Sequence, residues 1–292
     1  MLLGAAGRIR GDWLKFKIND LEEAKAEGYN AVNLIVTDPG NVRDQDVART
    51  KRLFAEAGME IGQTNGRYGG ALVSEDEDER AAAIKFVKRT VNLTARLGSP
   101  NTYLRPGSLN PAGAWLPHPG NRSDEVFDRL VDSAKQICRV AENEGIKVAT
   151  EGGVVCPVHS ARRMRDFIDA VGSKSLGFNQ DPVNFISSLD DVYNIEAFLQ
   201  KFFDLLGHVT LGAHAKDFRV VDALLVHFAE TEIGSGLIPH EYFLAQMQKH
   251  APNTHVLIEH LPPDRFADAI KNFMVYSEKA GINWDSPRPP KA

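Results

Sequence analysis

Four short runs in the second half of the chain each end in a residue able to bind a metal ion. They are Lys147-Val-Ala-Thr-Glu151, Gly177-Phe-Asn-Gln-Asp181, Leu211-Gly-Ala-His214 and Val256-Leu-Ile-Glu259. A single acidic residue at the end of a strand is ordinarily a loop carboxylate or an ion-pair partner. Four ligand-type residues at the same place in successive units instead suggest one site, built from the ends of four parallel strands. Side chains alternate along a strand, which sets what each ligand faces. Glu151 shares its face with Ala149, Asp181 with Asn179, His214 with Lys216 and Glu259 with Leu257. The intervening Val148, Thr150, Val256 and Ile258 then face outward.

Three carboxylates and one imidazole form a hard, oxygen-dominated set. It suits one divalent ion, Mn²⁺ or Mg²⁺ first, with Co²⁺ or a catalytic Zn²⁺ also compatible. Four protein ligands on an octahedral ion leave two positions for a carbonyl oxygen and an adjacent hydroxyl, the pair found in ketoses. The ion would acidify the neighbouring C–H, and a carboxylate beside it would move the proton.

Further candidates surround this set. Inward-facing Lys216 is placed to reach substrate oxygens and is read as catalytic. His118 lies in a long loop, a kind of segment that is often functional, and is read as a general base or substrate contact. Arg105, His159 and Asn179 are candidate substrate contacts. His260 alternates away from Glu259, toward a place behind the ligands or outside the site. His208, His227, His240, His250 and His255 read as solvent-facing or helix-edge residues.

The elements that would position these residues alternate regularly. Strands are expected at 2–6, 31–36, 59–65 and 101–105, followed by the four ligand-bearing runs. Helices are expected at 21–27, 45–57, 75–97, 123–144, 161–171, 190–206, 240–250 and 266–279. Gly28, Gly58, Gly98 and Gly145 stand where left-handed C-caps belong, and Ser123 stands at an N-cap. The polar segment 106–122 is a long loop. Eight strand–helix units without a linker, at about 36 residues each, point to an α/β fold in the form of a single (β/α)8 barrel. Its expected bounds are 1–284, with a loose Pro-rich tail at 285–292. A doubly wound open sheet is the rival, but the first βα turn lacks Gly-x-Gly-x-x-Gly.

Composition narrows the class. The 292 residues are 43% hydrophobic and 25% charged, with a net charge of −5. That balance lacks the basic footprint of a nucleic-acid binder. No secretory signal or membrane-length apolar run is present. Two cysteines, Cys138 and Cys156, do not make a disulfide scaffold at this size, so a cytoplasmic setting is expected. Without a Gly-x-Ser-x-Gly elbow, acyl hydrolysis is not indicated.

Taken together, these residues resemble the xylose isomerase-like TIM barrels, the sugar phosphate isomerases and epimerases. The matching residues are Glu151, Asp181, Glu259, the motif His214-Ala-Lys-Asp217, and Gly234-Ser-Gly-Leu-Ile, which resembles the family's Gly-x-Gly-x-Ile turn. The resemblance implies one divalent metal on the four strand-end residues. It also implies that the two glutamates exchange protons on opposite faces of a ketose, and it allows a homo-oligomer with the 106–122 loop at the partner. Two positions depart from common members. Gly152-Gly153 stands where many carry Asn-His, and Asn184 stands where many epimerases carry a histidine three residues after the aspartate. Asn184 is accordingly a candidate substrate contact in an altered pocket.

The functional expectation is a metal-dependent sugar isomerase or epimerase, with a small-molecule carbohydrate as its partner. The first alternative keeps the same proton removal but ends in elimination: a lyase or deglycosidase acting on 3-keto-glycosides. The altered pocket and the His118 loop favour it. Metal-dependent DNA-repair endonucleases of this barrel need more histidine ligands than are present, and a non-catalytic sugar-binding protein would have no need of an intact ligand set.

Overall fold

Short runs of four to seven residues alternate with amphipathic segments, and in the computed structural model, which describes residues 1–291, they become strands and helices in that order. The strands are β1 (Leu2–Ala5), β2 (Ala31–Val36), β3 (Glu60–Gly66), β4 (Asn101–Leu104), β5 (Lys147–Thr150), β6 (Leu176–Gln180), β7 (Thr210–Ala215) and β10 (His255–Ile258). They close into a parallel barrel in the order β1-β10-β7-β6-β5-β4-β3-β2. Register is set by pairs such as Leu257 with His214 and Tyr103 with Ala149. One-residue shifts follow Val32 on β2 and Phe178 on β6.

The main helices are α1 (Ile18–Glu27), α2 (Asp44–Ala57), α3 (Glu77–Leu97), α4 (Asp124–Glu144), α5 (Ala161–Val171), α6 (Leu189–Tyr193), α7 (Ile195–Leu206), α8 (His240–His250) and α9 (Phe266–Lys279). Their apolar faces cover the barrel. On α5, Ala161, Met164, Phe167, Ile168 and Val171 are buried, the three-and-four spacing of a helix lying on a sheet. The Ser123 hydroxyl caps α4 by accepting from Val126 N–H, and Gly145 ends that helix at φ 68°. Both cysteines are free and buried.

Four features differ from the sequence reading. The single helix expected over 190–206 is two, because its backbone turns at Asn194 (φ −119°, ψ 39°). The fourth strand stops at Leu104, so Arg105 begins the loop. An antiparallel hairpin, β8 (Asp217–Val220) with β9 (Phe228–Thr231), stands between β7 and α8. Finally, His240 and His255 are buried at 1% and 8% exposure, not solvent-facing. His240 lies 3.4 Å from Asp217, and His255 lies 3.1 Å from Glu60 at the opposite end of the barrel from the ligand-bearing strand ends.

The C-terminal segment meets that opposite end too. Asp285 N–H donates to the Met1 carbonyl, its carboxylate lies 2.9 Å from the Met1 ammonium, and Arg288 N–H donates to Glu60. Among the described residues, no helix is long and apolar enough to cross a membrane.

Candidate metal centre

Strands β5, β6, β7 and β10 bring Glu151, Asp181, His214 and Glu259 together at the C-terminal mouth of the barrel. One donor atom from each lies within 4.8 Å of all the others. All four are buried in a cavity of about 340 Å³ or directly beneath it. Its walls also include Asn65, Tyr103, Arg105, Trp115, Asn184, Lys216, Glu230 and His260.

Hydrogen bonds fix Glu151 most firmly. It accepts from Tyr103 Oη at 3.2 Å, Asn179 Nδ2 at 3.0 Å and Asn184 Nδ2 at 2.8 Å. Asn184 also donates to Asp181 Oδ2 at 2.9 Å and accepts from Lys216 Nζ at 2.8 Å. The Lys216 ammonium lies 2.7 Å from Asp181 Oδ2 and 2.9 Å from Glu259 Oε1. Gly152 and Gly153 make room for this arrangement. A Cβ on Gly152 would lie 2.4 Å from the Val158 carbonyl oxygen, and one on Gly153 would lie 3.0 Å from that of Asn184. A side chain at either position would therefore meet backbone already in place, at Val158 for the first and at Asn184 for the second.

The donors fit a cation. His214 Nε2 faces Gln63 Oε1 at 3.0 Å. Its Nδ1 lies 2.8 Å from Glu151 Oε2 and 3.1 Å from Glu259 Oε2 but is aligned for a hydrogen bond with neither. Asp181 Oδ1 is likewise buried without a hydrogen-bond partner, and Glu259 Oε1 has the Lys216 ammonium beside it but no aligned hydrogen bond. Oxygens and a ring nitrogen crowded together without aligned donors are atoms that a divalent ion would satisfy.

The titration behaviour of the protein alone agrees. Burial lowers the His214 pKa, but the charges of Glu259 and Glu151 more than reverse this and raise it to about 10. Burial opposes ionisation of Glu259 and Glu151, yet the His214 and Lys216 charges hold both below their usual range, Glu259 well below. Asp181 goes the other way. Burial, with Glu151 and Glu259 nearby, holds it well above the usual range despite Lys216. A carboxyl and an imidazole both shifted upward in one cluster mark an excess of negative charge that a cation would relieve.

Other residues expected at the site divide. Lys216, Arg105 and Asn184 line the cavity. Asn179 does not: fully buried, it spends its amide on Glu151 and Gln63 below the cavity floor. His118 is also elsewhere. Its Nδ1 accepts from Gly120 N–H, capping a short 3₁₀ turn, and it lines a neighbouring cavity beside Tyr68 and Glu75. His159 is drawn off by Arg122, whose Nη1 lies 3.2 Å from His159 Nδ1.

Several cavity residues escaped the sequence reading. Glu230 reaches the site from the unexpected hairpin. His260, expected behind the ligands or outside, lies at the cavity wall where its backbone adopts φ 60°; its Nδ1 sits 2.9 Å from Glu230 Oε2 and its Nε2 3.6 Å from the ligand Glu259. Tyr103 and Trp115 carried no motif. Tyr103 stacks on His214 at 5.8 Å between centroids.

The motif residue Asp217 serves the frame. Its carboxylate accepts from four backbone N–H groups, those of Phe218, Gly234, Gly236 and Ile238, at 2.9 to 3.1 Å. A Cβ on Gly236 would come within 2.0 Å of Asp217 Oδ1, so only glycine fits there.

The sequence pattern of the xylose isomerase-like TIM barrels matches residues 21–275. The chain belongs to this family. Solved structures share the family fold at low identity. One is a xylose isomerase domain protein from Planctomyces limnophilus, with TM-score 0.72 and 20% identity over 96% of this chain and 98% of that one. Another is a xylose isomerase-like TIM barrel protein from Mycobacterium smegmatis in complex with magnesium, with TM-score 0.73 and 13% identity over 96% of each chain. A third is the E. coli 3-keto-D-glucoside 4-epimerase, with TM-score 0.70 and 17% identity over 94% of this chain and 99% of that one. No curated protein sequence matches the chain.

Proposed function

We propose that this family member is a divalent-metal-dependent sugar isomerase or epimerase that moves a proton at a carbon beside a carbonyl. The observation that carries the reading is the four-residue donor cluster, with its partnerless atoms, at the floor of a sugar-sized cavity. The magnesium-bound relative and the relative acting as a keto-glucoside epimerase support the choice of cofactor and of substrate class, a ketose or keto-sugar. Glu151, Asp181, His214 and Glu259 would hold the ion, which would supply Lewis acidity to the substrate carbonyl.

The chain's own groups divide the proton work. Glu259 is held ionised and its Oε1 has no aligned donor, so it is the freer base to take a proton from carbon. Glu151, anchored by three donors, stands within the same 4.8 Å cluster as the partner that returns or accepts it. Lys216, kept cationic by the carboxylates around it, steadies negative charge developing on a substrate oxygen. Asn184 orients Lys216 and Glu151 together. Arg105, with its Nε lacking a partner, and Trp115 are placed to contact the remainder of the sugar.

The lyase alternative shares the first proton removal. Its sequence support included His118, which lies in another cavity, so isomerisation or epimerisation is the outcome we favour. A panel of ketoses and keto-glycosides, incubated with the Mn²⁺-loaded protein in D₂O, tests the reading. Deuterium should enter at the carbon beside the carbonyl. Elimination of an aglycone without return of the proton would instead establish the lyase, and neither exchange nor elimination anywhere in the panel would reject both.

A further inference from the structure

Beneath the ligand cluster lies a chain of buried amides that dictates which nitrogen of His214 is free. Gln63, Asn101, Asn179 and His214 are each 4% exposed or less. Their order can be read from two fixed ends. At one end, the Leu211 carbonyl can only accept, so Asn101 turns its Nδ2 to it (3.4 Å) and its Oδ1 toward Gln63. At the other, the Glu151 carboxylate takes the hydrogen bonds of Tyr103, Asn184 and Asn179 as acceptor, so Asn179 turns Nδ2 to it (3.0 Å) and its Oδ1 toward Gln63. Gln63 therefore faces two acceptors and must present Nε2 to both, at 2.9 and 3.3 Å. Its Oε1 is left facing His214 Nε2 at 3.0 Å, and that ring nitrogen must donate.

We infer that Gln63 is a positioning residue that holds the proton of His214 on Nε2, leaving the Nδ1 lone pair for the metal. The inference rests on the metal assignment proposed above. Without the Gln63 acceptor, the imidazole can place its proton on Nδ1, where two carboxylates lie within 3.1 Å. That tautomer offers the ion no lone pair. Tyr103, stacked on the ring at an interplanar angle of 24°, restrains the ring plane but cannot choose between the nitrogens. Gly212 leaves space for the relay, since a Cβ there would stand 3.3 Å from Asn179 Oδ1.

The test compares two variants of similar length by calorimetric titration with Mn²⁺ alone. Gln63→Met removes the acceptor and should weaken Mn²⁺ binding about 10- to 100-fold, as losing an outer-sphere partner of a ligating histidine does. Gln63→Glu keeps an acceptor toward Nε2 while losing the same two amide donations. It should bind Mn²⁺ at least as tightly as the native chain. Equal weakening in both variants, or none in Gln63→Met, overturns the inference. If Gln63→Met does not fold, nitrogen-15 spectra of the Zn²⁺-loaded native protein decide: a proton on His214 Nε2 supports the inference, and one on Nδ1 refutes it. Absence of any Mn²⁺ or Zn²⁺ binding by the native chain would refute the metal assignment itself.

Discussion

Replacing Asp217 should unfasten the frame around the site without touching the cluster. Its two carboxylate oxygens accept four backbone N–H groups that tie the Gly234–Ile238 turn to the start of the hairpin. The residue is 1% exposed, so water does not already share the work. A hydrogen bond to a charged acceptor contributes about 1.5–3 kcal/mol, and a buried N–H left without one costs about 1–3 kcal/mol. Water entering the gap recovers part of this, so the expected loss for Asp217→Ala is about 3–5 kcal/mol, the range for breaking a buried charged network. At about 2 °C per kcal/mol for a chain of this size, the thermal midpoint should fall by about 6–10 °C. Asp217→Asn should cost nearly as much despite its matching shape. Oδ1 keeps its two donors, but an amide nitrogen would then face Gly234 and Gly236 N–H.

The pH dependence follows from the sign of the shift. Burial raises the Asp217 pKa, but His240 and the N–H groups of Ile238 and Phe218 outweigh it and leave a net depression. A depressed carboxyl contributes stability above its unfolded value of about 3.9 and loses it as pH falls through the folded value. The gap between native and Asp217→Ala midpoints in scanning calorimetry should therefore narrow as pH falls below about 4. A midpoint change under about 2 °C at neutral pH would refute the reasoning.

Two further outcomes are expected. Stripping divalent ions with a chelator should lower the melting midpoint, and adding Mn²⁺ at about 100 times its Kd should restore about 2.7 kcal/mol; a midpoint indifferent to both would remove the metal. Arg105→Met should raise KM for ketoses at nearly constant kcat, since the residue is placed to contact the remote part of the sugar, and kcat lost at unchanged KM in steady-state assays would give Arg105 a different role.

The barrel and its ligand-bearing ends were legible because both follow local rules. Strand alternation sets which residue faces inward, and αL glycines such as Gly145 end helices where the sequence places them. What stayed hidden depends on contacts far apart in the chain. Gln63 reads as one more polar residue on β3 until Leu211 and Glu151, 148 and 88 positions away, constrain it through Asn101 and Asn179. The β8–β9 hairpin was missed because its strands are four residues each, with an exposed apolar turn at Leu224 and Leu225 that resembles no strand pattern. His118 and His159 were misplaced because loop direction is set by partners, the Gly120 amide for one and Arg122 for the other. Alternation alone could not bring His260 to Glu230, because the strand pattern stops applying once the backbone turns to positive φ.

The most direct test joins metal content to proton transfer. Glu151→Gln and Glu259→Gln, each prepared with Mn²⁺ bound and quantified by elemental analysis, should be assayed for deuterium uptake on the ketose or keto-sugar that the native chain exchanges. The account predicts that each loaded variant loses exchange by about 10²–10⁴-fold, the contribution of a positioned acid or base. Metal-loaded variants that exchange at the native rate would contradict it.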